Sequence, residues 1–382
     1  MTKQFPVFPL ANTLILAIVL ALGGCISVPE TPKTPQEVLV FPPPPDEPRF
    51  YYERTIFSSA DVTPDAATSQ FKRLVTGEQL QGEGFAKPYG IAVHHGRIFV
   101  SDTGRHMVIV FDIPEKKFFT IGEEDPGALA LPLGLSVDRQ GDLYVADATA
   151  KKIMVYNRDG KFLRSIGGPT WFQRPVGVGV DADGHRIYVV DTGGVSSQEH
   201  RVRVFDAQTG QHLFDFGKRG IKPGEFNLPQ AVAVAPDGMV YVVDGGNFRV
   251  QKFRSDGTLV GVFGAIGRQS GQFSRPKEVA IDPAGNVYVV DAAFGNFQIF
   301  SPDGQLLLAI GSRSDINGPA KYMLPAGIAV DGDGRIYMVD QYFRKMDIFR
   351  PATLPADEGF LGKKKIAAKP GKSSGAEPAK AK

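Results

Sequence analysis

One unit, written six times with variations, constrains this chain more than any other feature. Its clearest copy is residues 229–264, PQAVAVAPDGMVYVVDGGNFRVQKFRSDGTLVGVFG. From Ala231 to Ala235 small and branched residues alternate, Pro236-Asp237-Gly238 turns the chain, and Met239 to Val243 runs on as a second apolar segment. Asp244-Gly245-Gly246-Asn247 makes the next turn, a third segment spans 250–253, Ser255-Asp256-Gly257 turns again, and a fourth spans 259–263. That pattern spells four short antiparallel strands joined by tight turns. Such a sheet has two apolar faces and cannot bury them alone, so the copies must fold together.

The copies open at Pro88, Pro132, Pro175, Pro229, Pro276 and Pro325. Six four-stranded units predict an all-β fold, a six-bladed β-propeller of antiparallel blades. The spacing from the aspartate closing the second strand to the third strand is uniform except in the third copy. There, Asp191 to Val202, five additional residues fall within 193–199.

The motif Pro-x-Gly-Ile-Ala-Val, a glycine turn, Ile/Val-Tyr-Val-x-Asp, a basic residue and an apolar strand ending in Phe resembles the NHL repeat, across roughly residues 76–355. Ala231 and Glu278 replace the early glycine of their copies, and the last copy stops after Phe349 without a fourth strand. A ring left open there would expose raw sheet edges. Residues 49–57 (RFYYERTIF), which have strand composition, are expected to return and pair with the last blade. Residues 71–75 also have strand composition.

The amino terminus reads as an export signal. Lys3 precedes an apolar run, residues 10–22 (LANTLILAIVLAL), whose 13 residues are short for a membrane span. It ends in Leu22-Gly23-Gly24-Cys25, which resembles the bacterial lipobox; the resemblance implies that Cys25 becomes the lipidated first residue of the mature chain. No other cysteine is present, which suits an oxidising envelope compartment. The resemblance, with Ile26 after the cysteine, implies an exported protein lipid-anchored in the cell envelope, at the outer membrane facing the periplasm or the cell surface. The expected organisation is a signal at 1–24, a proline-rich semi-rigid tether at 25–48, the propeller at 49–355 and a disordered lysine-rich tail at 356–382.

A formal charge of +2 argues against a nucleic-acid partner. With alternating strands, the turn between strands two and three shares a face with the connections between blades. Loops on a rigid scaffold carry binding residues, so that face is the candidate surface. The repeated aspartates Asp102, Asp147, Asp191, Asp244, Asp291 and Asp340 lie there. A group present in every copy is best explained by the fold, through backbone N–H bonds or pairing with Arg105, Lys152, Arg249 or Lys345. Non-repeated residues at equivalent positions are better candidates. Gln230, Lys277 and Glu278 place polar groups near the channel mouth, as the family resemblance implies, and Trp171 with Phe172 supplies aromatics in a connection, joined by Tyr322 and Phe343.

Catalytic constellations are sparse. The amidating lyases of a related propeller family hold zinc with histidines on several blades, and here only His106 and His200 align. Calcium-dependent propeller lactonases use a Glu/Asn/Asp set, of which only Glu278 has a counterpart. No Gly-x-Ser-x-Gly elbow, His-Glu-x-x-His pair or phosphate loop occurs. No catalytic residue, cofactor or metal is therefore assigned, although a divalent cation in the channel stays open. The expected function is binding or scaffolding of a protein or cell-envelope ligand, with a metal-dependent lactonase or lyase as the alternative.

Overall fold

The computed structural model describes residues 38–63 and 82–362. The signal, Cys25, residues 71–75 and the lysine-rich tail from 363 onward lie outside the described residues.

Blade 4 shows how the repeat folds. Its strands Pro229–Val234, Val240–Asp244, Arg249–Phe253 and Leu259–Phe263 pair in chain order, every pair antiparallel. The second strand, VYVVD, is buried throughout because both its faces meet a neighbouring blade. The outer strand, LVGVF, alternates half-buried and exposed. Blades 1, 2, 3 and 5 begin at Pro88–His94, Pro132–Val137, Pro175–Val180 and Pro276–Ile281 and repeat this order.

The buried residues form six clusters, each drawn mainly from two successive blades. Each interface has its own core, so the ring is held blade to blade rather than by a central plug. At the axis the first strands of blades 1, 2, 3 and 6 carry a glycine where the next strand comes too close for a side chain. A Cβ at Gly134 would stand 2.8 Å from Gly177 Cα and 2.9 Å from Val176 O. Ala231 and Glu278 occupy the corresponding positions of blades 4 and 5.

Blade 6 supplies only three strands from its own repeat, Pro325–Val330, Ile336–Asp340 and Lys345–Pro351. Its outer strand is Phe50–Ile56, paired antiparallel from Phe50↔Pro351 to Ile56↔Met346. Two buried ionic groups fix this closure. Arg335, with no exposure, donates to Glu53 of the closing strand at 2.9 Å and to Asp333 at 3.2 Å. Asp347, equally buried, accepts from Thr55 at 2.5 Å and from the Lys345 ammonium at 2.8 Å.

Two boundaries differ from the sequence expectation. The proline-rich stretch is sheet at its end, because Val40–Phe41 pairs with Tyr51 and Phe50 and adds a fifth strand to blade 6. The chain also stays packed on the ring as far as Gly362. Arg335 donates to Glu358 O at 2.9 Å, Phe360 N donates to Asp333 at 2.5 Å, and the Phe360 ring stacks on His95 at 4.7 Å.

Candidate functional site

The register sets the face. Pro88 at the start of a first strand pairs with Asp102 at the end of the second, and the corresponding pair recurs in every blade. The connections between blades and the second turns therefore lie together around one mouth of the axial channel.

All six repeated aspartates are fully buried. Asp102 accepts from the backbone N–H of Ala86 and Lys87 in the incoming connection, at 2.7 and 2.9 Å, and of Gly104 and Arg105 in its own turn, at 3.0 and 3.1 Å. Asp291 binds Ser274, Arg275, Ala293 and Phe294 in the same way. Five of the six clamp a connection onto their own turn, while Asp191 holds the connection through Gln173 N and Arg174 N and faces Arg203 at 3.6 Å, which is work for the fold. The basic partners mostly go elsewhere: Arg249 reaches Asp244 at 2.8 Å, but Arg105 pairs with Glu83 and Lys345 with Asp347, and Lys152 makes no ion pair among the described residues.

Glutamine adds a second clamp that the repeat pattern does not reveal. Gln251 accepts from Gly224 N at 2.8 Å and donates to Glu225 O at 2.8 Å; Gln298 does the same with Gly271 N and Gln272 O. In blade 6 the equivalent position is Asp347, and Lys345 beside it donates to Gly318 O at 2.6 Å.

The histidines separate. His200 is buried, accepting from Leu228 N at Nδ1 (3.2 Å) and donating from Nε2 to Gly194 O (3.0 Å), so both nitrogens hold backbone. It ties the insertion to the next connection, as does Arg219 on Ser197 O at 2.7 Å, while Ser197 on Gln173 at 2.7 Å ties it to the preceding one. His106 is exposed, with Nδ1 2.5 Å from Ala130 O. Among the described residues no three His, Cys, Asp or Glu side chains are grouped to hold a metal ion.

Of the aromatics, Phe172 and Tyr322 are core residues at 1% and 0% exposure, because each connection turns one ring inward over the gap between blades. Phe343 is half-buried against Tyr342 at 5.1 Å. Trp171 is exposed, but it stacks on His212 at 4.6 Å, on the outer strand of blade 3.

Lys277, Glu278 and Tyr89 meet at the axis. The Lys277 ammonium lies 5.8 Å from the Tyr89 ring, and Gln230 hydrogen-bonds Leu228 O at 3.0 Å. Glu278 lines an axial channel of about 300 Å³ whose other walls include Ile91, Leu135, Val232 and Ile328. Its carboxylate accepts only from Val279 N, at 3.2 Å, among the described residues. Burial in that channel pushes the Glu278 carboxyl up to about 8, with the Val279 N–H and Lys277 opposing the shift. Burial first, and Glu278 second, push the Tyr89 hydroxyl up to about 12 against the pull of Arg174 and Arg275. The Lys277 ammonium is pushed down by burial and by the two arginines.

Tyr89, Arg174 and Arg275 were not legible as site residues, since each belongs to a different copy and only ring closure gathers them. The four most exposed aliphatic side chains on this face, Val195 (74%), Ile221 (76%), Ile266 (67%) and Ile316 (74%), were also passed over. Their signal was available as a branched residue in a polar connection.

The NHL repeat model matches residues 226–253. Over 143 residues the chain is 36% identical to the protein brain tumor of Drosophila melanogaster, covering 36% of this chain and 13% of that protein. Over 115 residues it is 32% identical to a probable peptidyl-alpha-hydroxyglycine alpha-amidating lyase of Caenorhabditis elegans, covering 29% of this chain and 31% of the relative. The matched stretches thus span less than a third of either relative. A solved structure from Bacteroides thetaiotaomicron, of unknown function, superposes with a TM-score of 0.57 at 17% identity, covering 78% of this chain and 75% of that one. The chain is a six-bladed β-propeller that carries an NHL repeat at residues 226–253.

Proposed function

We propose that this protein is an exported, lipid-anchored binding module of the cell envelope that engages a protein partner through the face carrying the connections between blades. The observation that carries this reading is the presentation of Val195, Ile221, Ile266 and Ile316 to solvent from four loops of that face. Leaving a branched side chain in water forgoes roughly 1.5–3 kcal/mol of burial, and four on one rigid face form the apolar part of an interface. The aspartate and glutamine clamps hold the loops in place, which lowers the entropy lost on binding. The Leu22-Gly23-Gly24-Cys25 motif supports the anchor.

Capture from an envelope extract tests the face. The parent should retain a partner that the variant with Val195, Ile221, Ile266 and Ile316 all changed to serine loses; equal capture by both removes this surface from consideration. Labelling with a fatty-acid analogue tests the anchor, which is refuted if Cys25→Ser labels as the parent does.

The second reading, a lyase or hydrolase at the mouth, draws on Glu278. A carboxyl held protonated near neutral pH beside a tyrosine suits proton transfer. Turnover of a lactone or a peptidyl-hydroxyglycine by the purified domain, abolished in Glu278→Gln, would favour this reading over binding.

A further inference from the structure

The residue before each repeat-opening proline follows a pattern that only the ring makes meaningful. Around the axis it runs Lys87, Leu131, Arg174, Leu228, Arg275, Leu324, so cations stand on blades 1, 3 and 5 and leucines on blades 2, 4 and 6. Three positively charged residues thus alternate with leucines around the connection face, and Arg174 and Arg275 act electrostatically on Tyr89 at the axis.

Their main chains are fixed. The N–H groups of Lys87, Arg174 and Arg275 donate to the buried clamp aspartates at 2.9, 2.8 and 3.0 Å. Their carbonyls accept from Thr103, Thr192 and Ala292 at 3.0, 3.2 and 3.0 Å. The side chains have no such commitment. All three are exposed, and among the described residues none of them makes an ion pair or a side-chain hydrogen bond. Lys277 adds a fourth cation, held over Tyr89 and likewise without an ion pair among the described residues.

The Lys277 ammonium is pushed down first by burial and then by repulsion from Arg275 and Arg174, with Glu278 opposing. Of the carboxylates lining the channel, Asp282 and Asp331 sit at its first-turn end, and Glu278, next to Lys277, is raised by burial to about 8, which weakens its opposition to the cations. The clamp aspartates lie buried beneath the connections, whereas the side chains of Lys87, Arg174 and Arg275 are exposed. The charges acting on the Tyr89 hydroxyl are those of Glu278, Arg174 and Arg275.

We propose that this mouth is a binding site for the phosphate group of a phosphomonoester, seated on the channel axis with its peripheral oxygens toward Lys87, Arg174 and Arg275, and with Lys277 and the Tyr89 hydroxyl beside them. A doubly charged tetrahedral anion presents three equivalent oxygens about one axis, as a carboxylate does not, and arginine's fork suits it. The inference rests on the reading that this face binds, and it names the chemistry recognised at its centre.

The test is calorimetric titration of the propeller at neutral pH and low salt with glycerol 3-phosphate, inorganic phosphate and acetate, alongside flotation with vesicles of phosphatidic acid in phosphatidylcholine. A single saturable site for glycerol 3-phosphate, weakened at least tenfold by Arg174→Gln with Arg275→Gln, is expected, with acetate far weaker. Vesicle binding with no soluble binding, lost in the same variant, also supports the site and assigns its source to a lipid headgroup. Acetate binding as well as phosphate, no saturable binding in any arm, or binding unchanged in a double variant of parental melting temperature overturns the proposal. Partner capture dependent on Val195, Ile221, Ile266 and Ile316 would survive that failure, so the two readings fall separately.

Discussion

Removing the Asp347 carboxylate tests how the ring is closed. In Asp347→Ala the Lys345 ammonium, with no exposure of its side chain, keeps Gly318 O at 2.6 Å and loses its counter-charge. The same change strips Thr55 Oγ1 of the acceptor it reaches at 2.5 Å and Ala320 N of one at 3.1 Å. Breaking a buried pair from one side costs about 3–5 kcal/mol, because the remaining charge is stranded away from water. The freed Thr55 and Ala320 groups place the expectation near the upper end, about 4–5 kcal/mol, which is a fall in melting temperature on the order of 10 °C for a domain of this size. The companion variant, Lys345→Met with Asp347→Leu, removes both charges and should recover to within about 2 kcal/mol of the parent. Thermal unfolding followed by the fluorescence of the single tryptophan, Trp171 in the connection entering blade 3, reads the far side of the ring. Hydrogen exchange over Phe50–Ile56 reads the closing strand. The two should shift together. A loss below about 1 kcal/mol in Asp347→Ala, or a double variant as weak as the single one, would refute the stranded-charge argument.

The remaining expectations can be checked by similar measurements. The Glu278 carboxyl, raised from 4.5 to about 8, holds its proton longer in the folded than in the unfolded state, so stability should fall as pH rises through that window. Asp331, raised to about 6, contributes a similar fall only lower down, so urea midpoints between pH 6 and 8.5 should slope downward in the parent and run flat in Glu278→Gln. Gly134→Val, meeting immovable backbone at 2.8 Å, should lose more than about 3 kcal/mol or fail to fold, while Gly261→Val, with nothing within 4 Å, should stay within about 0.5 kcal/mol. His200→Ala leaves Leu228 N and Gly194 O unpaired and should lose about 2–3 kcal/mol, with faster proteolysis in residues 193–199. Phe360→Ala, which removes the ring stacked on His95 at 4.7 Å, should expose residues 356–362 to protease while leaving the melting of the ring nearly unchanged.

The sequence by itself determined the blades. Alternation such as PQAVAV, turns such as Pro236-Asp237-Gly238 and the terminal aspartate are local signals, and six in-phase copies leave few other ways to bury the apolar faces. It also marked Lys277 and Glu278, since a departure is visible wherever a repeat defines a rule. The fate of an aromatic in a connection was not legible: Phe172 and Trp171 are neighbours in sequence, yet one fills an interblade core and the other stacks on the outer strand of blade 3. That choice depends on what lies across the gap, which only packing supplies. Tertiary structure alone decided that Arg174 and Arg275 act on Tyr89 of another blade and that Glu278 lines the axial channel. Charges and dielectric act through space, and ring closure places residues far apart in the chain within reach of one another.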